Sequence, residues 1–417
     1  MNLRSIFPIL VSLACLPARA QTPVPAPGSP PAYEMAPLFQ ASEVLDPSLL
    51  AGPYHRVRES AYGDGYLVHF TIDSDFGTYE CVGIRDLRRC VWEIQAIASL
   101  VAVSKGDLFA EGLRKSVEAP IDAVKNIVTH PGKSVKQVPH TVGHFFNKLG
   151  TSLDNAARKS AEGKQSSPGG EGKGIGDAFK NVAGFDKAKL ECARELGVDP
   201  YSDNPRLQEE MEKVTWAFFA GGLPLRIGAA VVSTGASVAL TATEVVGLPE
   251  DIYDVTPSEL KFQDRKALEA MGMSPQKIDA VFANSNVSIS VRHQMVRSLA
   301  RLNGPGREEI INVIISCDTS WRAHFFRDVL RLLEKRGQIQ PYTAYGAYGR
   351  LAVAQTADGT IEVPAPVDYV IWSEEVAGFA NRVDLTSAKH RLILQGQLSE
   401  RAASELKAAG WEIVPLP

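Results

Sequence analysis

A chain of 417 residues, 45% hydrophobic and 22% charged, is long enough to bury one good core and favours two. With 44 basic against 48 acidic residues the net charge is −4, so there is no global electrostatic case for a nucleic-acid partner. No zinc-type Cys/His spacing, phosphate-loop glycine pattern or G-x-S-x-G elbow is present, and no metal, cofactor or catalytic class is marked by a motif.

The first stretch reads as an export address. Arg4 supplies a basic start, Ile6 to Leu16 an apolar run, and Ala18-Arg19-Ala20 a small-x-small cleavage site, so cleavage is expected after Ala20 in preference to lipid attachment at Cys15. Loss of Arg4 and Arg19 leaves 42 basic and 48 acidic residues, a net charge of −6. Gln21 to Pro37 is proline-rich and aperiodic, which predicts an extended linker before folding begins near Ala51. Four cysteines follow it: Cys81, Cys90, Cys192 and Cys317. In an oxidising compartment Cys81 and Cys90 are the natural first disulfide pair, with four buried thiols as the alternative.

Tyr66 to Thr71 and Thr78 to Val82 are β-rich runs around the turn residues Asp73 to Gly77, a hairpin signal. Asp73, Asp75 and Glu80 lack calcium-loop spacing and read as plain turn chemistry. From Asp86 to Val103 apolar residues fall at helical spacing, and Ser104 with Asp107 opens a further helix. Val117 to Leu153 carries a continuous apolar stripe interrupted by Pro120, Pro131 and Pro139, which predicts short amphipathic helices in series. Their polar face is basic, so Lys125, Lys133, Lys136, Phe145, Phe146 and Lys148 are candidates for contact with an anionic membrane surface. His140 and His144 stand one turn apart with His130 nearby, but Thr141 occupies the place of the glutamate in H-E-x-x-H, and no metal is expected there.

Ala161 to Gly176 is a Gly/Ser/Lys linker and the expected domain boundary. Beyond it, helix signals recur at Asp186 to Leu196, Asn204-Pro205, Thr256-Pro257, Ser274-Pro275, Val291 to Leu302, Glu308 to Ser316 and Trp321 to Arg336. These helices surround Trp216 to Gly247, a stretch uncharged from Ile227 to Thr243. Its alanine, serine, threonine and glycine content suits a buried helix pair better than a bilayer span. Past residue 340 the period changes. Arg350 to Ala354 and Thr360 to Val363 form a hairpin around Asp358-Gly359. Val367 to Trp372, Arg391 to Gln395 and Trp411 to Val414 are further strands, with a helix capped at Ser399. The strand–loop–helix–strand outline of Arg391 to Val414 is similar to the active-site loop region of rhodanese-like domains. Ile393 stands at the nucleophile's place, so the resemblance implies no activity here.

The fold class expected is α+β and predominantly α-helical: an N-terminal hairpin-plus-helices unit, a central helical domain around an apolar helix pair, and a C-terminal small α/β unit. The boundaries expected are 1–20 signal peptide, 21–50 proline-rich linker, 51–160 α+β unit with amphipathic helices, 161–180 Gly/Ser-rich linker, 181–340 helical domain and 341–417 α/β unit. The function expected is that of a periplasmic or secreted bacterial envelope protein without enzymatic activity, binding a membrane surface or an envelope protein and using no cofactor. One alternative is an envelope hydrolase. Its pocket would join two or more of His55, His69, His130, His140, His144 and His324 to carboxylates, and Asp368, Glu374 and Glu375 near strand ends are acid–base candidates. The other is a secreted toxin or effector whose apolar helix pair inserts into a target membrane.

Overall fold

The computed structural model describes residues 32–118, 172–223, 247–382, 385 and 389–416. It is an α+β protein with thirteen α-helices and two small sheets among those residues.

The N-terminal sheet is antiparallel, built from β1 (Leu38–Gln40), β2 (Ala51–Gly52), β3 (His55–Val57), β4 (Ser60–Gly63), β5 (Val68–Ser74) and β6 (Gly77–Val82), with β5 paired to β3, β4 and β6. Order therefore begins earlier than the proline content suggested. Two short helices, α1 (Ala41–Val44) and α2 (Pro47–Leu50), lie where the linker was expected to continue to residue 50, because Ala41 and Leu45 are drawn into the sheet's core. Val68, Phe70 and Ile72 alternate inward along β5 and pack on Leu87, Val91 and Ile94 of α3 (Ile84–Ser104). Asp73 accepts two 2.8 Å hydrogen bonds from Arg58 across the β3–β5 side of the sheet.

Helix α3 leads into α4 (Asp107–Glu118). The central helices are α5 (Gly172–Leu196), α6 (Pro205–Ala220), α7 (Pro257–Ala270), α8 (Pro275–Ala283), α9 (Ile289–Arg301), α10 (Arg307–Ile315) and α11 (Ser320–Ile339). Asn204, Thr256 and Ser274 each cap a helix through the side-chain oxygen, as the sequence signals predicted, and Ser288 does the same for α9. The linker expected over 161–180 is overridden from Gly172 onwards, because α5 continues through its glycines despite their poor helix propensity. On α11, Ala323, Phe326, Val329, Leu330 and Leu333 enter the core shared with α9 and α10. The opposite face, carrying His324, Arg327, Asp328, Arg331 and Lys335 at three- and four-residue spacing, looks into a cavity.

The C-terminal sheet runs in the order β11-β10-β9-β8-β7: β7 (Tyr342–Tyr348), β8 (Leu351–Thr356), β9 (Ile361–Val370), β10 (His390–Leu398) and β11 (Trp411–Pro415). Strands β7 to β9 are antiparallel, while β10 is parallel to both β9 and β11. Helix α12 (Glu374–Ala380) follows β9, and α13 (Glu400–Ala408), capped by Ser399, crosses from β10 to β11. Gly396 has φ +136° at a bulge where the β9–β10 register shifts. A Cβ there would come within 2.0 Å of the Val367 carbonyl oxygen, so the position requires glycine.

Glu362 of β9 is fully buried yet fully paired. It accepts from Arg336 (3.2 Å), Arg391 (2.8 Å) and the Tyr342 hydroxyl (2.7 Å), tying α11 to three strands. Burial pushes its carboxyl upward, but these donors together outweigh burial and hold it below its ordinary value of 4.5. A group lowered in the folded state contributes stability above its unfolded pKa and loses it as pH falls through the folded one. Glu362→Gln is therefore expected to lose about 2 kcal/mol at pH 7 in urea titrations, because the half-buried Arg336 loses its counter-charge and Arg391 keeps only Glu412. The difference from the unsubstituted protein should shrink steadily below about pH 4.

Candidate functional site

Three stretches far apart in sequence enclose a cavity of about 610 Å³: the start of α3, the polar face of α11, and the facing ends of β9 and β10. Its floor depends on Asp368. This half-buried carboxylate accepts from the backbone N–H of Val68 (3.0 Å) and of Ile84 (3.2 Å), the first residue of α3. Burial raises the Asp368 carboxyl, and the two N–H donors oppose that rise. The Asp368 and Ile371 N–H groups return hydrogen bonds to the carbonyls of Tyr66 (2.9 Å) and Gly65 (3.1 Å). Asp368, an acid–base candidate in sequence, here caps α3 and joins it to β5. Glu374 and Glu375 lie in the first turn of α12, away from this cavity.

The lining holds seven basic side chains, Arg85, Arg88, Arg89, Arg301, Arg327, Arg331 and Lys335, against four acids, Asp86, Asp328, Glu334 and Asp368. Pairing decides which of these charges are spent. Arg89 donates to Asp86 (2.7 Å), Glu93 (3.1 Å) and Asp203 (2.9 Å), and Glu93 also accepts from Ser202 and Asn204. Burial acts to lower the Arg89 pKa, but the surrounding acids overcome it and hold that guanidinium firmly charged. Arg301 is engaged by Glu334 at 2.6 Å.

The remaining cluster is unbalanced. Asp328 receives Arg327 at 2.9 Å and Arg85 at 3.4 Å, and Arg331 adds to the field that, against burial, lowers its carboxyl. Three guanidinium groups therefore share one carboxylate. Arg331 has no hydrogen-bond or ion-pair partner among the described residues, and its side chain opens on the cavity. Burial first, and then the Arg327 charge, pull its pKa below the ordinary value. Arg331 passes over Gly247, where an added Cβ would meet its guanidinium at 2.0 Å and where φ is +64°.

His324 is the one histidine of the cavity wall, and its ring is fully engaged. Nδ1 accepts from Arg327 (3.0 Å), which places the proton on Nε2, facing Asp203 at 3.3 Å. Burial works to raise the Asp203 carboxyl, and the His324 bond and Arg89 lower it overall. With neither ring nitrogen open to a substrate, His324 braces Arg327 and leaves no lone pair for a general base. Comparison of the chain with protein-family models, with curated proteins and with solved structures finds no match.

The other histidines among the described residues do not line this cavity. His55 on β3 bonds the Leu49 carbonyl, and burial lowers its pKa. His69 on β5 pairs with Asp64 (2.8 Å) and stacks on Tyr62 at 4.4 Å between ring centroids. The multi-histidine pocket expected of a hydrolase is therefore not assembled among the described residues. His130, His140, His144 and the membrane-contact candidates Lys125, Lys133, Lys136, Phe145, Phe146 and Lys148 lie outside the described residues, as does 224–246 of the apolar stretch. No helix among the described residues is long and apolar enough to cross a membrane.

Cys81 and Cys90 are neighbours as the spacing suggested, on β6 and α3, but both are free thiols, as are Cys192 and Cys317. With Asp86 their ligand atoms fall within 4.8 Å of one another, and both Asp86 oxygens already accept from Arg89 and the Val82 N–H. The Cys90 thiol is held well above its ordinary value by its hydrogen bond with Cys81 and by burial; burial pushes Cys192 up to about 12 and Cys317 to about 11. Since all four thiols are buried, a thiol-specific reagent should leave them unmodified in the native protein and modify all four in denaturant. A denatured count of two from this set would mean that Cys81 and Cys90 are joined.

Proposed function

We propose that the protein is a non-enzymatic binding protein for a small organic anion bearing phosphate, held by Arg331, Arg85 and Arg327 in the cleft between α3 and α11. The observation that carries this reading is Arg331, a partnerless cation beside two further arginines that have one carboxylate among them. Like charges gathered along one cleft leave a local positive surplus, and a planar guanidinium cluster matches the oxygens of a phosphate bidentately. The cavity volume falls in the range of small-molecule sites, larger than inorganic phosphate requires. Trp321, Phe325 and Pro366 supply apolar wall for the rest of such a ligand. His324, with both nitrogens engaged, favours binding over hydrolysis. Together with the signal-like N-terminus, the reading is of an exported bacterial protein that captures a solute in the envelope or outside the cell.

Isothermal titration with pyrophosphate tests it. The protein should bind one equivalent, more weakly as salt is raised. Arg331→Gln should lose about tenfold or more in affinity, equal to about 1.4 kcal/mol, because a charge-assisted contact disappears. The same substitution should leave stability within about 0.5 kcal/mol of the unsubstituted protein, because the exposed cation it removes has no partner among the described residues. Absence of saturable binding, or equal affinity in the variant, defeats the proposal.

A further inference from the structure

A second cavity, of about 310 Å³, lies between the C-terminal sheet, α12 and the N-terminal half of α11, and its chemistry is the reverse of the arginine cleft. Phe325, Val363, Val367, Phe379, Leu392 and Trp411 make its walls apolar from several sides. Those walls belong to elements already fixed by the sheet and its helices, so the space is built in and not left by a loose loop. An unfilled apolar cavity costs a fold increasingly with its volume, and such cavities admit apolar guests while excluding water. The mouth is polar. Arg322 and Glu375 line it with the Tyr66 ring, and Arg350 approaches from the β7–β8 turn. Arg322 is held by Asp318 through two 2.6 Å hydrogen bonds, whereas Arg350 reaches the same carboxylate only at 3.4 Å with its side chain 58% exposed. An exposed pair of that geometry is weak, and Arg350 can turn from it to another carboxylate at little cost.

We infer that this second cavity binds a single-chain fatty carboxylate, its aliphatic tail among Val363, Val367, Phe379 and Leu392 and its head on Arg350. The donors at the mouth, Arg350 and the Tyr66 hydroxyl, suit a carboxylate, and the walls offer the tail no polar partner. The site is distinct from the arginine cleft and does not rest on the reading given for it, although Trp321 and Phe325 contribute to both walls.

Decanoate is the probe, and decanol its uncharged counterpart, each titrated into the purified full chain by calorimetry and by tryptophan fluorescence, to which Trp321 and Trp411 contribute. Decanoate should bind with one-to-one saturation. Val367→Trp and Val376→Trp, which fill the cavity from β9 and from α12, should each weaken it about tenfold or more, while pyrophosphate titrations stay unchanged. Two walls are used so that one poorly folded variant, recognised by its thermal unfolding, leaves the other to decide. Arg350→Gln should weaken decanoate about fivefold and leave decanol unaffected. No saturable decanoate binding, or binding indifferent to both cavity-filling variants, overturns the site. Equal loss of decanoate and decanol in Arg350→Gln, or loss of neither, overturns the fatty carboxylate as its ligand.

Discussion

The Asp368 carboxylate stands at the point where the two ends of the chain become one structure. It accepts from Val68 and from the first residue of α3, positions 300 and 284 residues away in sequence. Removing such a group from water is costly, and the fold sets that cost against two backbone N–H groups that would otherwise lie unsatisfied at a strand end and a helix start. Everything on the first turns of α3 inherits its position from this contact, including Arg85 and Arg89. The polar face of α11 is then brought opposite by Arg89 and His324, which both reach Asp203.

This arrangement explains why the charges of one cavity wall are paired while Arg331 opposite is left uncommitted. Arg89, Glu93, Ser202, Asn204 and Asp203 form a closed network in which each charge is answered. Arg327 is braced by His324 on one side and Asp328 on the other. Arg331 lies one turn further along the same helix, beside Arg327 and over Gly247, and feels Asp328 and Glu334 only at a distance because those acids are engaged by Arg327 and Arg301. The electrostatic surplus is therefore local and directional even though the whole chain is mildly acidic.

Much of the scaffold was legible in the sequence because its signals are short-range. Asn204-Pro205, Thr256-Pro257 and Ser274-Pro275 begin helices where capping chemistry says they should, and the Asp358-Gly359 turn joins β8 to β9. Strand β7 was not legible: YTAYGAY offers small residues and a glycine where a strand signal needs bulk, and its pairing with β8 supplies the order. The order over residues 38–50 escaped notice for a related reason, since prolines nearby look like linker while Leu38–Gln40 pairs with β4. The arginine cleft was the least visible feature. The charges of α11 read locally as an ordinary solvated face, and only tertiary packing turns Arg327 and Arg331 toward Arg85, about 240 positions earlier. The histidines drew attention in sequence, yet His324 acts as a brace and the arginines around it carry the site's character.

The same long-range closure has a consequence for biogenesis. A ribosome delivers α3 and the N-terminal sheet long before it delivers Asp368, so the helix start must wait, open to solvent, until β9 arrives. Contacts of such sequence separation form slowly and late, after local helices have already settled. The wall that α3 gives to the cavity is therefore set only after β9 has been made, and a partly made molecule carries Arg85 and Arg89 without the cavity they line. The cleft is a property of molecules whose two ends have met.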